Sequence, residues 1–187
     1  MKFLILGSIT ILMFATFAIV RTSASVGSAD YETVERDGDF EIRKYADIPV
    51  VSARSEGRSA FSKLFRYISG SNDRNQKIPM TSPVFSWREE GSYKMSFVLP
   101  KDVAENGAPV PSRRDVIVET IPAGKFAVTR YGGYASAKRM EEARQRLENW
   151  IAENNLDTEG TFIYAGYDGP YTPSNLRRNE VLIRLAK

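Results

Sequence analysis

The order of strand-like and helix-like segments constrains this 187-residue chain more than any other feature. In "DFEIRKY" Phe40 and Ile42 alternate with charges, and "IPVVSAR" follows as a second strand. An amphipathic helix comes next in "SAFSKLFRYISGSN", residues 59–72. Phe61, Leu64, Phe65 and Ile68 recur at i, i+3, i+4 and i+7, Lys63 and Arg66 fall off that stripe, and Gly70 and Asn72 close it. A polar segment taken as flexible, "GSNDRNQK", follows. "IPMTSPVFSW" and "YKMSFVL" read as strands, the second with Tyr93, Met95, Phe97 and Leu99 on one face. After the loop "PKDVAENGAPVPSRRD" the series returns as "VIVETI", "KFAVTRY", a helix from about Ala137 to Glu153, "TFIYAGY" and "NEVLIRL".

A shift of 76 residues sets Ile42 on Val118, Val50 on Phe126, Arg54 on Arg130, Gly57 on Gly133 and Leu64 on Met140. Strand–strand–helix–strand–strand therefore occurs twice, over about 31–100 and 115–187, the pattern of a duplication. Either half alone would expose one face of a four-stranded sheet. Two halves packed together bury both, as a curved sheet or barrel of class α+β. In the second helix Met140, Ala143, Leu147, Trp150 and Ile151 make a core stripe. Glu142–Arg146 and Arg144–Glu148 are expected as pairs on its exposed side.

Composition narrows the chemistry. The chain has neither Cys nor His, which excludes Cys/His zinc sites and nucleophiles activated by His. No carboxylate pair can be placed from the sequence, so no catalytic residue and no metal ligand is named. The formal charge of +3 includes Lys2 and Arg21, and without them 24 basic residues face 23 acidic ones. Basic residues are scattered, which argues against a nucleic-acid partner.

The opening "MKFLILGSITILMFATFAIVRTSAS" runs apolar from Phe3 to Val20 behind Lys2. Residues 1–24 read as a signal peptide with a cleavage site after Ala24, or as a retained N-terminal membrane anchor; both stay open. Either way the domain is expected outside the membrane, periplasmic or tethered by that segment. Residues 25–30 form a linker, and 31–187 the domain.

With those elements in place, "FEIRKY", "FSKLFRYISGSND", "KIPMTSPV" and "NLRRNEVLIRL" resemble the SOUL haem-binding family from about Tyr31 to Lys187. The resemblance implies two βαββ-type repeats forming a distorted eight-stranded barrel-like sheet with two helices outside. It also implies non-covalent binding of haem or another tetrapyrrole in a shallow apolar groove beside the first helix. Carried onto this chain, Phe61, Leu64, Phe65 and Ile68 form the groove wall, and Arg66 stands where the family commonly has a basic residue facing a propionate. A further basic residue of some relatives falls on Pro173, with Arg177 or Arg178 as substitutes. The His that serves some members as axial ligand is missing, which leaves Tyr67, Met80 and Met95 as the nearest candidates by segment.

The residues suit such a ligand, a flat apolar disc with two carboxylates. Phe61 and Phe65 offer faces, Arg66 a rim cation. Apolar burial is largely offset by association entropy, so modest affinity and a carrier or buffer role are expected. The plainer reading makes the stripe core, Arg66 solvated, and Arg177, Arg178 and Glu180 a surface ion-pair cluster worth under about 1 kcal/mol. Two other functions compete. One is an enzyme that modifies a tetrapyrrole by removing its metal, with Asp73 and Glu89 as nearby acids. The other is a binding module for other apolar ligands or a protein partner.

Overall fold

A computed structural model describes residues 29–55, 59–89 and 91–186. The leader, residues 1–24, lies outside the described residues, as does most of the linker. Nine strands and three helices follow in the order β1 (Tyr31–Asp37), β2 (Phe40–Tyr45), β3 (Ile48–Ser55), α1 (Ser59–Ile68), β4 (Val84–Glu89), β5 (Ser92–Val98), α2 (Lys101–Glu105), β6 (Val116–Ile121), β7 (Gly124–Gly132), α3 (Ala137–Glu153), β8 (Thr158–Gly166) and β9 (Arg178–Leu185). All strands belong to one antiparallel sheet of order β1-β2-β7-β9-β8-β4-β5-β3-β6. The class is α+β.

The sheet is strongly curled. From β2, second in the order, the chain passes to β3, second from the other end, through Ala46 and Asp47 alone. Six flat inter-strand spacings would be about 29 Å, whereas that link spans at most about 11 Å. The step from β6 to β7 through Pro122 and Ala123 repeats the constraint. The Ala123 amide donates to Asp47 Oδ1 (2.7 Å), which ties the two crossings together.

Eight strands closing on each other were expected, and nine strands in an open sheet are observed. β1 adds a ninth outside β2, and the edges β1 and β6 do not pair. A third helix, α2, stands inside the segment read as a loop. The strand order has its own regularity: exchanging β2–β5 for β6–β9 reverses the order of those eight strands. Registers follow suit. Arg43 pairs with Phe126 and Val50 with Glu119, the same rung displaced by 76 residues in each strand.

Three apolar clusters hold the layers. The concave face buries Tyr45, Val50, Phe85, Trp87, Phe126, Val128 and Leu182. Outside, α1 lays Ala60, Leu64, Tyr67 and Ile68 on Val51, Ala53, Phe97 and Val116. On the far side α3 lays Ala143, Leu147, Trp150 and Ile151 on Ile42, Ala127, Val181 and Ile183. The span and stripe of α3 are as read, with Met140 only half-buried. Ser136 caps it, accepting from the Arg139 amide. Arg144 pairs with Glu148 and Glu141, but the expected Glu142–Arg146 pair is replaced by Lys138–Glu142 and Arg146–Asp39.

Because α3 covers its outside and the curl its inside, β2 is buried on both faces. Glu41 and Arg43, read as the polar side of an alternating strand, are buried. Arg43 donates to Glu180 through two nitrogens (2.8 and 3.0 Å) and to Glu41 (2.6 Å). Arg178 and Tyr167 also donate to Glu180. The Glu180 cluster expected at the surface is thus interior: its side chain and that of Arg43 are each 0% exposed.

Candidate functional site

The stripe of α1 splits in two. Leu64 and Ile68 belong to the core. Phe61 and Phe65 remain 41% and 50% exposed, with stacked rings 6.1 Å apart. The cause is placement: α1 sits over β3, β5 and β6, which leaves Phe61 and Phe65 on its partly exposed flank. Phe61 meets Phe97 edge-on at 5.3 Å. Val84, Tyr93 and Met95 continue that surface, half-buried, on the outer face of β4 and β5. These residues make a contiguous, partly exposed apolar surface, aromatic on the α1 side and strand-borne on the other, at the place where the groove is expected.

Helix geometry places the expected rim cation elsewhere. At about 100° per residue, Arg66 is turned some 160° from Leu64, on the crest of α1. It is exposed and without a side-chain partner among the described residues. Arg177 donates to the carbonyls of Thr172 and Pro170 and lies over Tyr134. Arg178 is bound to Glu180 and stacks on Tyr167 at 4.0 Å. Both belong to the β7–β9 region rather than to the α1 flank, and the fold does not bring them together with Phe61 and Phe65. Pro173 precedes a short 3-10 turn.

Strand alternation supplies a cation that the helix-centred reading missed. Val84, Ser86 and Arg88 share the outer face of β4, and Arg88 stands opposite Tyr93. It is exposed, with no side-chain partner among the described residues. Four residues along the strand put it about 13 Å from the rung of Phe97. The period-2 pattern of "VFSWRE" carried that signal.

The end of α1 is built rather than loose. Buried Asn72 donates to the carbonyls of Tyr67 and Gln76 and accepts from the amides of Arg74 and Gln76. The Asp73 carboxylate accepts from the Val110 amide (2.8 Å). "GSNDRNQK" is therefore pinned to the 107–112 loop. Tyr67 is buried, its hydroxyl donates to the Pro109 carbonyl (2.8 Å), and burial pushes its pKa up to about 12. That removes Tyr67 as an iron ligand. Met95 is half-buried, and Met80 is exposed in the segment leaving α1, where the Ile78 amide donates to Ile68. Of the three residues named as iron-ligand candidates by segment, Met80 and Met95 are therefore the two that stay at least partly exposed.

The two acids named for metal removal stand apart from one another. Asp73 is engaged as described, and Glu89 lines a cavity on the concave face. The Arg54 hydrogen bond and nearby Lys94 hold its carboxyl below the usual range. Among the described residues no group of acids is placed to hold a metal ion, and no helix is long and apolar enough to cross a membrane.

The chain belongs to the family described as SOUL heme-binding protein, whose model matches residues 26–184. Heme-binding protein 2 of Mus musculus is 31% identical over 159 residues, covering 77% of each chain. Heme-binding protein 1 of the same species is 31% identical over 166 residues, covering 83% of this chain and 85% of its own. Among solved structures, the EcmrR C-terminal domain superposes with a TM-score of 0.58 at 16% identity, over 79% of this chain and 97% of that one. A hydrolase from Listeria innocua gives 0.57 at 7% identity, over 82% and 94%. Those two likenesses are of fold alone.

Proposed function

We propose that this protein binds haem or a related tetrapyrrole non-covalently in the groove beside α1, with modest affinity, as a carrier or buffer. The observation that carries the reading is the exposed, stacked Phe61–Phe65 pair above the apolar floor of β4 and β5. Two exposed aromatic rings side by side gain by covering a flat apolar ligand. Family membership supports the ligand class. Arg88 at the end of the floor and Arg66 on the crest are the cations proposed for the propionates, with Arg88 the better placed. Leu64 and Ile68 support the wall from beneath, and Arg177 and Arg178 are not needed. With no His in the chain to hold the iron, the porphyrin is held chiefly by its face, which favours release over electron transfer.

The symmetric strand order and the 76-residue register support descent from a duplicated βαββ unit. On sequence grounds the apolar leader directs export, to the periplasm or to a membrane tether.

Hemin titration of the full chain tests the main reading. A saturable Soret shift is expected, weakened by Phe65→Ala and by Arg88→Glu and little changed by Arg178→Gln. No shift at micromolar concentrations of both would refute it. Metal removal and other apolar ligands have no specific observation in their favour at this groove.

A further inference from the structure

The loop between β8 and β9 and the turn between β7 and α3 meet at one end of the sheet, since Gly132 pairs with Arg178 and Gly166 with Asn179. Both segments are tied down. Asn179 donates to the Gly133 carbonyl (2.8 Å), and the Arg178 amide donates to Asp168. Within the loop the Thr172 and Leu176 amides donate to the Gly169 and Pro173 carbonyls. Pro170 and Pro173 restrict the backbone further.

This firm surface holds three large apolar side chains outward. Tyr171, Leu176 and Tyr134 are 97%, 67% and 58% exposed. They are neighbours. Arg177 donates to the carbonyls of Pro170 and Thr172, on either side of Tyr171, and its guanidinium lies 4.6 Å from the centre of the Tyr134 ring. Apolar groups gathered in one place, unlike singly scattered ones, mark a surface that meets something.

Charge narrows what it meets. Arg177 is held by carbonyls alone, and Arg139 donates to the Gly132 carbonyl (3.0 Å). Neither pairs with a carboxylate among the described residues. The one acid of the loop, Asp168, takes the Arg178 amide. Tyrosine rings and leucine beside uncompensated guanidiniums are the composition of a surface that sits among anionic lipid headgroups.

Tether length points the same way. Eight residues, 21–28, separate the apolar run Phe3–Val20 from Ala29. Fully extended they reach at most about 30 Å. A folded unit of this size is about 40 Å across. The side of the fold remote from the chain's entry therefore cannot touch a bilayer that holds that run. The chain enters at β1, where the Tyr31 hydroxyl accepts from Arg178, the neighbour of Arg177 (3.3 Å). One pair of side chains thus joins the entry point to the aromatic patch.

We propose that Tyr134, Tyr171 and Leu176, flanked by Arg139 and Arg177, form a docking face that rests in the headgroup region of an anionic bilayer, the same bilayer that holds the apolar run. The rings and the leucine enter the interface, and the guanidiniums meet lipid phosphates. The proposal rests on that run acting as a retained tether. It does not depend on the tetrapyrrole reading, because the patch lies at the β7–β9 end, apart from the α1 groove.

The test uses the full chain in vesicles of phosphatidylcholine and phosphatidylglycerol, about three to one, with and without bromine on the acyl chains. Tyr171→Trp puts a reporter at the most exposed ring, and Val110→Trp, at a 62% exposed position on the α1 side, is the control. The native Trp87 and Trp150 are buried and set the background. Emission of the Tyr171→Trp reporter should be blue-shifted and quenched at least about twofold by bromine, with the control near background. Arg139→Glu, at an exposed position, and omission of phosphatidylglycerol should each reduce that quenching severalfold. No quenching at position 171, equal quenching of reporter and control, or indifference to both charge changes would overturn the proposal. A blue shift that grows with protein concentration and ignores bromine would overturn it in favour of a second copy on this face. Failure of the full chain to float with the vesicles would overturn it too, and hemin titration reads none of these outcomes.

Discussion

Glu180 carries the highest stakes of any single residue. Burial alone would push its carboxyl up, but the Arg43 hydrogen bond and the charges of Arg43 and Arg178 outweigh burial and hold it below its ordinary 4.5. Removing one partner strands a buried charge, so Arg43→Met or Glu180→Leu should each cost about 3–5 kcal/mol in urea unfolding. The double replacement should recover only part of that, since Glu41 and Arg178 each lose a partner while Arg36 and Arg130 still pair with Glu41. Because the folded pKa is depressed, this contribution is complete above about pH 5 and drains as pH falls through the folded value. Glu180→Gln should therefore flatten the fall of stability as pH drops below about 5 relative to the parent, and an unchanged acid slope would contradict the assignment. None of this was legible in "RRNEV", where neighbouring charges read as solvated. Local sequence reports which groups are near in the chain, not that Arg43, 137 residues away, arrives at the same carboxylate.

Within α1 the two classes of apolar residue should separate cleanly. Leu64→Ala should cost about 2–5 kcal/mol, because a fully buried side chain leaves a cavity. Phe65→Ala should cost less than about 1 kcal/mol while weakening hemin binding, because its ring is half exposed. Equal losses of stability would show that Phe65 is core after all. Asn72→Ala should cost about 1–3 kcal/mol by orphaning the buried carbonyls it serves, measured by thermal melting. The 3.6-residue period located the stripe at Phe61, Leu64, Phe65 and Ile68. It could not divide that stripe into core and wall, since the division depends on which strands lie beneath the helix and how far they extend. For the same reason the helix pattern points to Arg66 and says nothing of Arg88, which stands 22 residues further on but on the outer face of β4.

Over the whole molecule, the halves are not side-by-side lobes. β2 pairs with β7 and β3 with β6, so each half gives its leading strand to the other. Residues 29–114 and 115–186 expressed separately should lack near-UV circular dichroism and recover it only on co-expression. A cooperatively folded half would refute this interleaving. The curl needed to connect β2 to β3 through two residues also produces the concave face.

Chain periodicity established the α+β class, the two long helices and the core stripe of α3, because each is a local pattern of apolar spacing. Resemblance of four short motifs added the family and its ligand class. The open nine-stranded sheet, the extra strand β1, the interior Arg43–Glu180 pair and the cavity beside Glu89 were decided only by tertiary structure. Each depends on strands distant in sequence meeting across a curved sheet. Burial there is set by which element covers a residue, not by whether its side chain is polar.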